Sequence, residues 1–224
     1  MLGASGRHQD DRLLARRDAT VQRLSRIKAV ICDWDGVFND GFKDAEGGSP
    51  FSEVDSMGIN LLRFALWLRK EELPYSAIIT GQNNAFAERF AQREHLHGIY
   101  AGYTHKPEAF DRFLAQHDLR PEEVLFVFDD VLDLPVAERC GMRVLIGHRA
   151  TELFQRTCIE RGLVDIHINL DGSHHGLREA CELLIQLLGN WERVIDHRVA
   201  YDAVYQRYLA TRQAVVTEVV RHTR

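Results

Sequence analysis

Five acids, a threonine and a lysine fall where side chains can do chemistry. Asp33 and Asp35 close an apolar run in Ile-Cys-Asp-Trp-Asp-Gly-Val-Phe-Asn-Asp-Gly, residues 31–41. Thr80 and Gly81 close another, Ile-Ile-Thr-Gly, with Gln82 just beyond. Asp129 and Asp130 end the run Val-Leu-Phe-Val-Phe, Asp133 follows one turn later, and Lys106 precedes Pro107 between the second and third sites. Carboxylates gathered at one place repel unless a cation neutralises them, and all-oxygen ligands select a hard ion such as Mg²⁺. A lysine and a hydroxyl beside that ion seat a phosphoryl group through charge and hydrogen bonding. The set therefore reads as phosphoryl transfer. Taken singly, each piece has a plainer role: a D-x-D turn, a Thr-Gly turn, a solvated lysine, an N-cap pair at Asp129 and Asp130. Their recurrence at successive strand ends favours the joint reading.

The elements that must position these residues follow from periodicity. Short apolar runs predict strands at 28–32, 75–80, 98–100, 124–129, 143–146 and 164–168. Helical spacing between them predicts helices at 55–70, 84–94, 107–117, 133–140, 150–161 and 175–188. Strand and helix alternate, so the expected fold is α/β, a doubly wound Rossmann-like parallel sheet, whose ligands bind beyond the carboxyl ends of the strands. Gly47-Gly48 between short mixed runs predicts a β-hairpin within 38–54, inserted after the first strand. The expected organisation is an N-terminal amphipathic helix within 1–27 (Leu13, Leu14, Val21, Leu24), a catalytic domain over 28–188 and a helical extension over 189–224. In the extension Val194, Tyr201, Tyr208 and Val215 stand seven apart, which predicts a long helix packed on its own domain or on a sister subunit.

Composition narrows the partners. The 224 residues carry a formal charge of −5, 45% hydrophobic and 27% charged residues, a globular balance that argues against nucleic acid and anionic membranes and for a small substrate. Cys32, Cys140, Cys158 and Cys181 form no C-x-x-C pair, so neither a zinc site nor a disulfide framework is expected, and a reducing cytoplasm suits them. The N-terminal stretch lacks a signal-peptide core, and no apolar run approaches the roughly 18 residues of a membrane span. His95 and His97, and the adjacent His174 and His175, lack the i, i+4 spacing of a helical zinc site.

The segments D-x-D-G-V-x-x-D-G at 33–41, I-I-T-G at 78–81, Lys106 and D-D-x-x-D at 129–133 resemble the four motifs of the haloacid dehalogenase (HAD) superfamily of phosphatases. Asp55, Gly58 and Ile59, with the late segment Gly-Ser-His-His-Gly-Leu-Arg-Glu at 172–179, are similar to the capless branch typified by 3-deoxy-D-manno-octulosonate (KDO) 8-phosphate phosphatases. The resemblance implies a HAD-like core and a Mg²⁺-dependent phosphomonoesterase acting on a small phosphorylated metabolite, a sugar acid such as KDO 8-phosphate. It implies Asp33 as nucleophile through an aspartyl-phosphate and Asp35 as acid and base. Metal ligands would be Asp33, the backbone carbonyl of Asp35, and Asp129, with Asp130 or Asp133 behind them. Thr80, Gly81, Gln82 and Lys106 would meet the substrate. It also implies a homo-oligomer, a tetramer favoured.

Four positions depart from that pattern: Gln82 in place of an arginine, Phe128 in place of a glycine, and Ser56 and His174 in place of glycines. Phe128 either points into the core or crowds the metal edge. The competing expectation is a catalytically weakened scaffold or binding subunit. A signalling receiver, which uses a similar acid, Thr and Lys set, is disfavoured because its lysine comes last, whereas Lys106 precedes Asp129.

Overall fold

The apolar runs form one all-parallel sheet in the computed structural model of the chain, which describes residues 18–222. Its strands are β1 (Ala29–Cys32), β2 (Tyr75–Thr80), β3 (Gly98–Ala101), β4 (Val124–Phe128), β5 (Met142–Ile146), β6 (Ile166–Ile168) and β7 (Glu218–Arg221). They lie in the order β6-β5-β4-β1-β2-β3-β7. Residues 18–24 form helix α1; Leu13 and Leu14 lie outside the described residues. The remaining helices are α2 (Glu53–Lys70), α3 (Ala85–Arg93), α4 (Lys106–His117), α5 (Leu134–Ala137), α6 (Glu152–Glu160), α7 (Gly176–Leu187), α8 (Trp191–Ala200) and α9 (Ala203–Gln213).

Strands buried on both faces read as unbroken apolar runs, and β1 shows why. Val30 and Cys32 face the core shared with α2, α3 and α7, while Ala29 and Ile31 face the core shared with α4 and α5. Helices α2 and α7 approach closely because Gly58 has no side chain; a Cβ there would lie 3.2 Å from the Arg178 Cα. Arg63, fully buried in α2, donates to the carbonyls of Glu94 (2.6 Å) and His95 (2.9 Å), which satisfies the orphan end of α3. Among the described residues no helix is long and apolar enough to cross a membrane.

Two expectations are corrected. The hairpin after β1 is absent: residues 38–52 form a loop with a tight turn, closed by Asp44 N–H to Gly48 O at 2.8 Å. Its short polar side chains take the backbone donors that a ladder would need. Asn39 Oδ1 accepts from Gly41 N–H, Asp40 Oδ1 from Phe42 N–H and Asp44 Oδ1 from Gly48 N–H, at 2.9, 2.9 and 2.6 Å. Pro50 removes a further donor.

The long C-terminal helix is also absent. Tyr201 adopts a left-handed conformation (φ 49°), Asp202 caps the next helix by accepting from Val204 and Tyr205 N–H, and the chain then returns as β7. Tyr208 packs on Phe64 and Trp67 of α2, so the extension covers its own domain. β7 pairs with β3 (Tyr100 opposite Val220) and shields what would be an open edge. Val220 is 4% exposed. Val220→Asp should therefore cost about 2–4 kcal/mol, from lost apolar burial and a desolvated charge. Chemical denaturation measures this; a loss below about 0.5 kcal/mol, within the range of ordinary surface changes, would mean that the strand is not docked.

Candidate active site

Strand β1 lies between β4 and β2, with Cys32 in register with Val127 on one side and Ile78 on the other. The connections leave this point in opposite directions, which opens a crevice at the carboxyl edge. Asp33 follows Cys32, Asp129 follows β4 and Thr80 ends β2, so three segments distant in sequence meet there. Asp33 is tied down by its own N–H, which donates to Val127 O at 2.9 Å.

The carboxylates of Asp33, Asp129 and Asp133 each bring an oxygen within 4.8 Å of the others. Lys106, the first residue of α4, sends its ammonium into the group, 2.7 Å from Asp33 Oδ1 and 2.5 Å from Asp133 Oδ1. All three members of this chain of charges are buried. Asp133 also accepts from Asp130 N–H at 3.2 Å, which fixes the turn after β4. Of the two acids expected behind the cluster, Asp133 is the one that reaches Lys106. Asp130 is exposed and accepts from Val131 N–H at 2.7 Å.

Burial raises the Asp33 carboxyl to about 7; Lys106 opposes the rise and Asp133 adds to it. Asp129 is pushed well up by burial and by the charges of Asp33 and Asp133. Burial works against the Lys106 ammonium, but Asp33 and Asp133 outweigh it and hold it protonated. One cation thus faces three acids. Asp129 Oδ1 is buried with no hydrogen-bond partner among the described residues. A buried carboxylate oxygen left in that state is costly unless an ion meets it, so the residues fit a hard divalent cation with oxygen ligands.

Glycine makes the crowding possible. Gly36 (φ +88°) lies so close to Asp129 that a Cβ would sit 1.9 Å from Oδ2. Gly172 presses the late loop onto the same segment; its Cβ would fall 2.1 Å from Asn39 O and 2.5 Å from Gly36 O.

Thr80 is buried, and Gln82 N–H lies 3.5 Å from its Oγ1, a long contact. Gly81 is half-buried and Gln82 is exposed. Phe128 is fully buried in the core and stacks on Phe126 at 5.8 Å, so its ring packs inward. The Asp35 carboxylate is held apart from the cluster, by Lys43 Nζ at 2.5 Å and by the Ser49 hydroxyl. Sequence reasoning missed Lys43, Ser49 and Asn84, the last of which donates to Ser49 Oγ at 2.8 Å. The loop that carries Lys43 and Ser49 has no periodic signal, so nothing in the sequence paired them with Asp35.

A doubly wound parallel sheet with acids at the ends of β1 and β4 fits the HAD superfamily of phosphatases, and similarity to known proteins assigns the chain to that class. No protein-family model matches the chain. A HAD superfamily (subfamily III A) hydrolase from Legionella pneumophila superposes with a TM-score of 0.69 over 84% of this chain and 98% of its own, at 24% identity, a likeness of fold. The KDO 8-phosphate phosphatase of Escherichia coli K12 is 30% identical over 173 residues, 75% of this chain and 85% of its own. The chain belongs to the KDO 8-phosphate phosphatase family. A Moraxella catarrhalis member, solved with magnesium, phosphate and KDO, has a TM-score of 0.64 at 23% identity over 80% of this chain and 97% of its own.

A raised carboxylate pKa means that the folded, metal-free protein holds a proton the unfolded chain gives up. Between the ordinary value of 3.8 and about 7 at Asp33, metal-free stability should fall as pH rises. Asp33→Asn should flatten that slope and stabilise the metal-free protein at pH 8, while Mg²⁺ should stabilise the wild type most at that pH. Thermal unfolding at pH 5 and pH 8, with and without Mg²⁺, reads this. A wild-type metal-free protein that gains stability across the window would contradict it.

Proposed function

We propose that the chain is a Mg²⁺-dependent phosphomonoesterase that hydrolyses a phosphorylated sugar acid, with KDO 8-phosphate as the first candidate. The observation that carries this reading is the buried Asp33–Lys106–Asp133 chain beside the unpartnered Asp129 oxygen. The 30% identical relative that acts on KDO 8-phosphate supports the substrate class.

In this mechanism Asp33 is the nucleophile, held in rotation by Lys106. Its free oxygen attacks phosphorus in line, the P–O bond to the substrate breaks, and Asp35 gives its proton to the departing oxygen. Water then attacks the aspartyl-phosphate, Asp35 takes back a proton, and phosphate leaves Asp33 unchanged. Thr80 and Lys106 hold phosphoryl oxygens, with Gly81 and Gln82 along the same loop. Asp33, Asp129 and the backbone carbonyl of Asp35 would hold Mg²⁺, with Asp133 behind them; the ion supplies charge stabilisation for the transferring group.

The four cysteines are buried free thiols, which supports a reducing cytoplasm as the location. Phe42, Val131 and Leu132 are exposed on the loops after β1 and β4, and this supports a homotetramer in which subunits cover each other's sites.

The test is phosphate release from a panel of sugar and sugar-acid phosphates. Turnover should need Mg²⁺ and vanish in Asp33→Asn. Lys106→Met should lower kcat by roughly 100-fold or more, about 3 kcal/mol of transition-state stabilisation. Full activity in Asp33→Asn would overturn the covalent route, and no turnover of any substrate by a folded, Mg²⁺-loaded protein would favour a binding or scaffold role.

A further inference from the structure

The leaving-group side of the site is organised around a cation that the mechanism above does not use. Lys43 Nζ stands 2.5 Å from Asp35 Oδ1 and 3.2 Å from Ser49 Oγ, with its side chain 27% exposed. The seat beneath it is fixed. Ser49 is fully buried; its Oγ accepts from both Lys43 and Asn84 and donates to Asp35, and its carbonyl accepts from Trp34 Nε1 at 3.1 Å. Every hydrogen-bonding position of that hydroxyl is used, and the ammonium therefore has a defined resting place.

The two lysines of the site are not equivalent. Lys106 is 3% exposed and held by two buried carboxylates, so its charge serves the transferring group. Lys43 is partly exposed with one carboxylate partner, Asp35, and the exposed Gln82 brings no charge. Asp35 must engage the ester oxygen when substrate binds. Lys43 then loses its counter-charge while remaining beside the leaving group, and a partly buried ammonium in that position gains from a new anionic partner.

We propose that Lys43 determines specificity by exchanging its ion pair with Asp35 for one with a carboxylate on the leaving group, selecting acidic over neutral phosphomonoesters. This rests on the phosphatase reading and deepens it: the chain's own loop after β1 reads the acid. An ammonium–carboxylate pair of this kind, partly desolvated, is worth about tenfold in affinity or more.

The probes are 6-phosphogluconate and sorbitol 6-phosphate, which differ only in a carboxylate against a hydroxymethyl group at the end remote from phosphate. For the Mg²⁺-loaded wild type, kcat/KM should favour the acid. In Lys43→Met that preference ratio should fall about tenfold, chiefly through KM for the acid, and Lys43→Arg should retain most of it. An unchanged ratio in Lys43→Met, or an equal loss on both compounds through kcat alone, overturns the proposal, the latter because it marks a lysine that only steadies Asp35. Calorimetric binding of both probes to Asp33→Asn and to Asp33→Asn/Lys43→Met repeats the comparison without turnover. Tighter binding of the acid that depends on Lys43, in a protein whose wild type hydrolyses neither probe, upholds the proposal while counting against the phosphatase reading. No preference in binding overturns the proposal, whatever the turnover.

Discussion

The arrangement at the sheet's carboxyl edge depends on one buried ammonium. Lys106 lies between Asp33 and Asp133, and without it two carboxylates would be left in a low-dielectric site with no counter-charge, a loss that typically costs several kcal/mol. Its position is set by the chain rather than by the side chain alone: Lys106 opens α4, Pro107 follows it in the first turn, and the helix packs against β2 and α5. The cation is therefore delivered to one place, and the acids of β1 and of the turn after β4 are arranged about it. Even so, it answers only part of their charge. The remaining imbalance raises Asp33 and Asp129 and creates the demand for a divalent ion.

Packing carries that charge pattern outward. Gly36 allows the Asp129 carboxylate to approach the β1 loop, and Gly172 allows the loop before α7 to close over the same segment. The side chains that depart from the family pattern are absorbed differently. Phe128 turns into the core and stacks on Phe126, so it fills volume rather than crowding the metal edge. Gln82 stays at the exposed rim, and Lys43 is the cation that meets Asp35.

The C-terminal segment solves a different problem. A parallel sheet ending at β3 would present an unpaired edge next to β2, which carries Thr80. Two helices cover α2, and β7 then pairs with β3 in parallel, so the edge is moved one strand away from the site. Its helices lie on the domain surface, and Tyr205 and Tyr208 bury their rings against Phe64.

By itself the sequence determined the alternation of apolar strands and amphipathic helices, and with it the doubly wound sheet. It also determined which strand ends carry Asp33, Thr80 and Asp129, because a buried parallel strand must be a short apolar run and the polar residue that ends it is visible. Asp133 as the acid that meets Lys106 was legible only as a choice between two neighbours, since a 3-10 turn sets which of them faces inward. What tertiary structure alone decided lies where local periodicity is silent or misleading. Asx-type side-chain bonds and Pro50 replaced the hairpin expected from Gly47-Gly48 with a loop. That loop folds back so that Lys43 and Ser49 meet Asp35 across 8 and 14 residues. The seven-residue spacing of Val194, Tyr201, Tyr208 and Val215 gave way to a break at Tyr201 and to pairing with β3. Strand pairing and ion pairing between distant segments depend on where the chain returns, and no local pattern encodes that.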